Sequence, residues 1–249
     1  MIFIKTDTEI ANMRQAGKVV GEALNHIKQF VDVGVATLEL DKIMQDFVLT
    51  RGCIPSFVGY QGYKYTTCMS VNSAVVHGIP NNYKLQLGDI VGIDIAVSFN
   101  GCHADAARTY GVVKISGLNQ KLISTTEECF FEGIKFAKPE YRVGDIGHAI
   151  QRLAESKGYG VVRDLTGHGI GKSLHEAPSV PNYGKSGSGA SLKKGMAIAV
   201  EPMINQGTER VTIDKLDNWT CRTLDGSNSA HYENTILITD SEPEIITLV

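Results

Sequence analysis

No stretch of this 249-residue chain approaches the roughly 18 to 20 consecutive apolar residues needed to span a bilayer. A helical membrane protein is therefore excluded. The N-terminus, Met1-Ile2-Phe3-Ile4-Lys5, is too short and too soon charged for a signal peptide, so a cytoplasmic chain is expected. Charge of one sign is scarce as well. The 24 basic and 27 acidic side chains leave a net charge of -3, too little to attract nucleic acid or a membrane surface, so any catalytic field must be local. The five cysteines, Cys53, Cys68, Cys102, Cys129 and Cys221, are odd in number and never form a Cys-x-x-Cys pair, which argues against a disulfide framework and a structural zinc knuckle. Reduced thiols are expected. His-Glu-x-x-His is missing, and no residue-level repeat is visible.

What is present is a chain with 43% hydrophobic residues, long enough to bury a substantial core. Thr6 and Glu9 form a capping box, and Ile10, Met13, Gly17, Val20, Leu24, Ile27 and Val31 then recur in steps of three and four, the stripe of an amphipathic helix. A second helix is predicted from about Thr37 to a stop at Gly52, a third from Leu118 to about Ala137 before Pro139, and a fourth from Val143 to Lys157 before Gly158. Strand-like segments follow each pair. The order helix, helix, strands thus occurs twice, which suggests a pseudo-two-fold α+β chain with an antiparallel sheet flanked by helices. Pro178 to Gly195, rich in Gly, Pro and Ser, reads as a long surface loop, and Lys193-Lys194 within it as a solvated turn. Residues 1–249 are expected to form a single domain.

Four carboxylates sit in surroundings that do not suit them. Asp94 lies inside Ile90-Val91-Gly92-Ile93-Asp94-Ile95-Ala96-Val97, where an unpaired charge would cost several kcal/mol. Asn100-Gly101 is a two-residue hairpin signal; if Phe99 pairs with Cys102, Asp94 opposes Ala107 and Asp105 lies diagonal to Asp94 on the same face. Glu201 ends the apolar strand Gly195 to Val200, and Glu233 opens another. Thr166-Gly167-His168-Gly169-Ile170-Gly171 reads as a glycine-rich turn that leaves one imidazole free, with His175 seven residues on. Each residue alone has an ordinary reading: Asp105 could pair with Arg108, Asp94 could take backbone donors, and His168 could be structural. Taken together, four carboxylates and one neutral imidazole carry a charge of -4, which two divalent cations cancel and one does not. Oxygen donors with one nitrogen suit manganese, iron(II), cobalt or zinc.

These residues resemble the methionine aminopeptidases of type I, metallopeptidases of the pita-bread fold. The resemblance runs through Gly59-Tyr60-Gln61-Gly62-Tyr63, Ser70-Val71-Asn72, Val76-His77-Gly78-Ile79-Pro80, Asp94, Asp105, Gly167-His168-Gly169-Ile170-Gly171, His175-Glu176, Glu201-Pro202-Met203, Trp219-Thr220 and Ser229-Ala230-His231-Tyr232-Glu233. It implies a catalytic metallopeptidase that removes the initiator methionine from nascent proteins, preferring a small second residue. Metal ligands would be Asp94, Asp105, His168, Glu201 and Glu233, holding two divalent ions, with Asp105 and Glu233 bridging. Catalytic roles would fall to His77, His175 and Glu201: Glu201 takes the proton of the attacking water, and His175 donates to the developing oxyanion. Phe57, Tyr60, Tyr63, Cys68, His77, Leu174, His175 and Trp219 would surround the substrate. The aromatics could equally be core, and His77 a turn residue before Gly78 and Pro80.

The chain also departs from the family pattern. The usual His-Gly-Asp is His103-Ala104-Asp105; Val76 stands where cysteine is usual, Leu174 where an aromatic is frequent, Asn234 where histidine often follows the last glutamate, and Phe57 where many bacterial relatives carry a smaller residue. No ligand is lost, so the departures bear on pocket shape and on the surroundings of the ligands. The implied partners are nascent polypeptide N-termini, with the ribosome that presents them a further candidate, and neither DNA nor a membrane; a monomer is expected. Two other functions compete: a proline-specific aminopeptidase or dipeptidase with the same ligands, disfavoured by the aromatic pocket and the absence of a preceding domain, and a non-catalytic binding protein, disfavoured by retention of all five ligands.

Overall fold

The computed structural model describes residues 2–248. Helix α1 (Asp7–Ile27) starts where the capping box places it: Thr6 Oγ1 accepts from the Glu9 amide at 3.3 Å, and the Glu9 carboxylate accepts from the Thr6 amide at 2.7 Å. Two backbone donors that a helix start leaves orphaned are satisfied in this way. The helix stops at Ile27, and the 3-10 turn Lys28–Phe30 carries Val31 off the stripe, because the tighter winding breaks the helical period. Helix α2 (Thr37–Leu49) is followed by Gly52 at φ +70°, the left-handed conformation that ends a helix. Helix α3 (Gly117–Ile134) ends before Ala137, since the amides of Phe136 and Ala137 turn back tightly onto the carbonyls of Gly133 and Ile134. Helix α4 covers Val143–Ser156. No helix of the described residues is long and apolar enough to cross a membrane.

Among the described residues the main sheet has nine strands, and all their pairings are antiparallel. Its central path runs Ile54–Pro55, Ile90–Phe99, Cys102–Gly111, Glu233–Leu237, Ala197–Val200, Gly167–Gly169 and Glu176–Val180. Thr67–Val71 also pairs with Ile90–Phe99, and Glu244–Ile245 with Glu233–Leu237. The hairpin register is the one Asn100-Gly101 predicts, with Phe99 opposite Cys102 and Asp94 opposite Ala107. Two expectations are corrected. Pro178 to Val180 are not loop: they belong to a strand whose Val180 pairs with Gly167 and whose Ser179 pairs with His168. His168 is accordingly in a strand, not a turn, because its flanking glycines permit close sheet packing instead of a reversal.

Burial decides which face of the hairpin carries charge. Ile93, Ile95 and Val97 pack with Met13, Val20 and Leu24 of α1 and Leu40 and Met44 of α2. Each such side chain contributes roughly 1.5–3 kcal/mol when fully buried. Successive strand residues alternate faces, so Asp94 points away from this core, and so does Asp105, set between Ala104 and Ala106. A slip of one residue would drive both carboxylates into the helices, which is why the register is strongly specified. A second core joins Phe130 of α3 and Ile146 and Ile150 of α4 to Ile198, Val200 and Ile236. All five cysteines are buried free thiols. Lys193 and Lys194 are exposed, as a solvated turn requires, and Lys194 pairs with Asp240.

Candidate metal centre

Four strands line up one row of side chains. Cys68 opposes Asp94, Asp94 opposes Ala107, and Ala107 opposes Glu233, so these residues share one face of the sheet. Asp105 lies two residues from Ala107 on that face. One step beyond the pair Asn234–Val200, the same register brings Glu201 beside Glu233. His168 arrives from the next strand at a β-bulge between itself and Gly169, a local irregularity that re-aims a side chain. A Cβ on Gly167 would stand 2.4 Å from the carbonyl oxygen of Ala199, and one on Gly169 would stand 2.3 Å from that of Ala177. Only glycine fits at either position.

The His168 ring is held by its Nδ1, which lies 2.8 Å from the Gly169 carbonyl and so donates to it. Nε2 then faces Asp105 Oδ2 at 3.5 Å and Glu201 Oε1 at 3.7 Å. Burial alone would push the His168 pKa down, but the hydrogen bond with Asp105 and the charges of Asp105 and Glu201 outweigh it and raise the value to about 9. Burial, reinforced by neighbouring carboxylates, drives Asp94 and Glu233 well above the ordinary carboxylate range and Glu201 up to about 8. Buried like charges this close do not all ionise without cations between them.

Cations fit the donor set. Asp94 Oδ1 is enclosed with no hydrogen-bond partner, although the residue as a whole is only half-buried. Arg108 does not neutralise Asp105 as the simpler sequence reading would have it: its guanidinium donates to the carbonyls of Ala107 at 2.8 Å and Glu233 at 2.6 Å and to Asn234 Oδ1 at 2.7 Å. Asp105 is fixed instead by Thr235, whose Oγ1 lies 3.0 Å from both its amide nitrogen and its Oδ1. Ligand atoms of Asp105, His168 and Glu233 all lie within 4.8 Å of one another, as do those of Asp94, His231 and Glu233.

The centre forms the floor of a cleft of about 570 Å³. Phe57, Tyr60, Tyr63, Cys68, His77, His175 and Trp219 all line it. Tyr63 stacks on Trp219 with ring centroids 5.6 Å apart, and Phe57 meets Tyr63 edge-on at 6.4 Å. Trp219 is presented by Asp217, whose Oδ1 accepts from the amides of Trp219 and Thr220 at 2.8 and 2.9 Å. Leu174 is a correction: at 4% exposure its side chain packs into the α1–α2 core and not into the cleft, because an apolar residue in the bend before Glu176–Val180 turns inward. His175 lies in that bend instead of on an extended stretch, with its ring centroid 4.2 Å from that of His168 and its Nδ1 2.8 Å from the Tyr60 hydroxyl. Burial and the neighbouring His168 hold the His175 pKa down to about 4, so the ring is neutral at pH 7. His77 follows the strand Ala74–Val76 without forming a turn and lines the cleft at φ +61°, a strained conformation, next to Gly78, whose Cβ position is 2.1 Å from the Met69 carbonyl oxygen.

The departures from the family pattern find places. Ala104 is fully buried in the first core, Val76 lies in a small cluster with Met203 and Cys221, and Asn234 anchors Arg108 and Thr247. Two residues at the centre escaped the sequence reading. Thr235 carries no signal of its own in a β-branched strand. His231 does carry one: it precedes Glu233 by two positions, the period that puts strand neighbours on one face. It is 4% exposed, and burial holds its pKa down to about 3, leaving it neutral.

Comparison with known proteins agrees with this geometry. The chain is 50% identical over 250 residues to a methionine aminopeptidase of Clostridium perfringens, covering 100% of both chains. It is 45% identical over 249 residues to methionine aminopeptidase 1 of Bacillus subtilis, again covering 100% of both. The crystal structure of methionine aminopeptidase from Thermotoga maritima superposes with a TM-score of 0.98 at 43% identity, covering 100% of each chain. Residues 11–240 match the family model for metallopeptidase family M24. The pita-bread fold, the buried carboxylate–histidine cluster and these likenesses together show that the chain belongs to metallopeptidase family M24, among its methionine aminopeptidases.

Proposed function

We infer that the chain, acting as one catalytic domain and as a monomer in the cytoplasm, removes the initiator methionine from nascent polypeptides whose second residue is small. The observation that carries this reading is the convergence of Asp94, Asp105, Glu201 and Glu233 with His168 on the floor of a cleft whose walls are aromatic. The five side chains would hold two divalent metal ions, with Asp105 and Glu233 serving both. When bound, such a pair supplies an activated water and a Lewis acid for the scissile carbonyl.

The chain's own residues supply the rest. Glu201 is the base that accepts a proton at its carboxylate. His175 stays neutral; in the tautomer whose Nδ1 accepts from the Tyr60 hydroxyl, 2.8 Å away, Nε2–H would donate to the peptide carbonyl oxygen as negative charge builds there. His77, which also lines the cleft, would hydrogen-bond the scissile amide and limit the size of the second residue. Tyr63, Trp219, Phe57 and Cys68 form an apolar slot for an unbranched thioether, with sulfur–aromatic contacts worth about 0.3–1.5 kcal/mol each.

The test is a peptide panel assayed after chelation and after restoring manganese, iron(II), cobalt or zinc. Met-Ala peptides are expected to turn over only with metal. Faster cleavage of Xaa-Pro peptides would reassign the site to a proline-specific peptidase, and metal binding without turnover of any peptide would reassign it to a binding protein.

A further inference from the structure

Besides the five side chains assigned above, one more imidazole, buried beside Glu233 and Glu201, has a ring nitrogen left over. Nε2 of His231 is enclosed and has no hydrogen-bond partner. A buried polar atom left unpaired costs about 1–3 kcal/mol, so an orphan of this kind points to a ligand. The atom lies 3.8 Å from Glu233 Oε2 and 3.9 Å from Glu201 Oε2. Those separations are too long for hydrogen bonds. They suit atoms that share an ion, since two donors each about 2.1 Å from a metal lie roughly 3 to 4.2 Å apart.

The backbone that carries the ring is also held from two sides. Thr109 Oγ1 accepts from the His231 amide at 3.0 Å and lies 2.9 Å from the His231 carbonyl, which ties this backbone to the hairpin strand that bears Asp105. On the other side Met203 pairs with His231 in a short antiparallel ladder. A donor fixed from both flanks needs little reorganisation to bind.

We propose that His231 is a sixth metal ligand, donating Nε2 to the ion between Asp94 and Glu233, while His168 serves the ion between Asp105 and Glu233. The two trios of ligand atoms, Asp94–His231–Glu233 and Asp105–His168–Glu233, share only Glu233. The proposal rests on the reading of the five side chains as ligands. Its consequence is chemical: the half of the centre that would otherwise offer oxygen alone gains a nitrogen. That half then favours cobalt and zinc over manganese more strongly than an all-oxygen site does.

The probe is cobalt(II) added to chelated protein, followed by calorimetry and by proton NMR of the exchangeable imidazole N–H signals that a coordinated paramagnetic ion shifts. Wild type is expected to bind two equivalents and to show two such signals. His231→Gln and His231→Asn should each lose one signal, and the second equivalent should bind at least about tenfold more weakly in His231→Asn. A single shifted imidazole signal in wild type carrying two equivalents overturns the proposal, whatever the variants do. Unchanged affinity and spectrum in a folded variant also overturn it. Asp105→Ala separates the two readings. If it loses cobalt while both His231 variants keep wild-type binding, only the sixth ligand is refuted; if it binds cobalt like wild type, the five-ligand reading falls too.

Discussion

Asp94 and Glu233 face the same floor from either side of Ala107, which pairs with Asp94 on one edge and with Glu233 on the other. The methyl group between the two carboxylates is fully buried, and its small size is what leaves room for donors to converge. Replacing Ala107 by Leu should therefore act on the centre more than on the fold. Overpacking is expected to cost about 1–3 kcal/mol in thermal stability. Metal retained after gel filtration should fall by at least half, as read by elemental analysis against wild type.

The His175 ring meets the Tyr60 hydroxyl through its Nδ1 at 2.8 Å. Removing the imidazole with His175→Ala should lower kcat by roughly 10² to 10³ with little change in KM, because the donor acts mainly on charge that develops in the transition state. Tyr60→Phe should give a smaller loss of the same kind, as the ring remains without the hydroxyl that favours Nε2–H. Steady-state kinetics on a Met-Ala peptide distinguishes this from simple binding. A rise in KM alone for either variant would make His175 a substrate-binding group.

The bend that carries His175 is anchored from the N-terminal arm. Lys5 and Glu176 form an ion pair whose side chains are 4% and 6% exposed, and Lys172 reaches Glu9 at 3.0 Å. Lys5→Ala leaves the buried Glu176 carboxylate with the Ser173 amide at 3.1 Å but without its cation, a loss that typically costs about 3–5 kcal/mol. The melting temperature should drop and kcat should fall with it. In the double variant Lys5→Met, Glu176→Gln the stability should largely return, which a melting series on the three proteins will show.

Much of this arrangement was legible because it follows from local chemistry. Asn100-Gly101 specifies its own turn, and the turn specifies the register that sets Asp94 opposite Ala107. Thr6 and Glu9 specify a helix start for the same reason. What the sequence concealed depends on contacts distant along the chain. Gly167-His168-Gly169 looks like a turn until Ala199 and Ala177 are seen pressing on the glycines. Leu174 looks like a cleft residue until the α1–α2 core claims it. His231 carries the period-two signal before Glu233, but its orphaned nitrogen shows only beside Glu201 and Asp94, which lie far from it in sequence.

The metal-free protein should respond to pH in a defined direction. Glu201, ordinarily near 4.5, is raised to about 8 chiefly by burial, and His168, ordinarily near 6.5, is raised to about 9. Both hold a proton more tightly folded than unfolded. Folding then takes up protons, so this contribution to stability is complete at acid pH and is lost as pH rises through the folded values. Above about pH 6.5, where the depressed His175 and His231 no longer oppose it, the melting temperature of the chelated protein should fall up to about pH 9, and Glu201→Gln should flatten part of that fall. Metal requires the deprotonated ligands, so the metal-loaded protein should show the opposite trend over the same range. Parallel slopes for the two forms would contradict the assignment of these residues as ligands.

The central claim is that carboxylates and His168 hold metal beneath a slot shaped for methionine. Its most direct test is kcat/KM for Met-Ala and Lys-Ala peptides, measured on the same preparation before chelation, after chelation and after metal is restored. Expected are no turnover without metal, recovery on reloading, and Met favoured over Lys by at least a hundredfold, a preference of about 2.7 kcal/mol. Turnover that survives chelation, or comparable rates for Met and Lys, would contradict it.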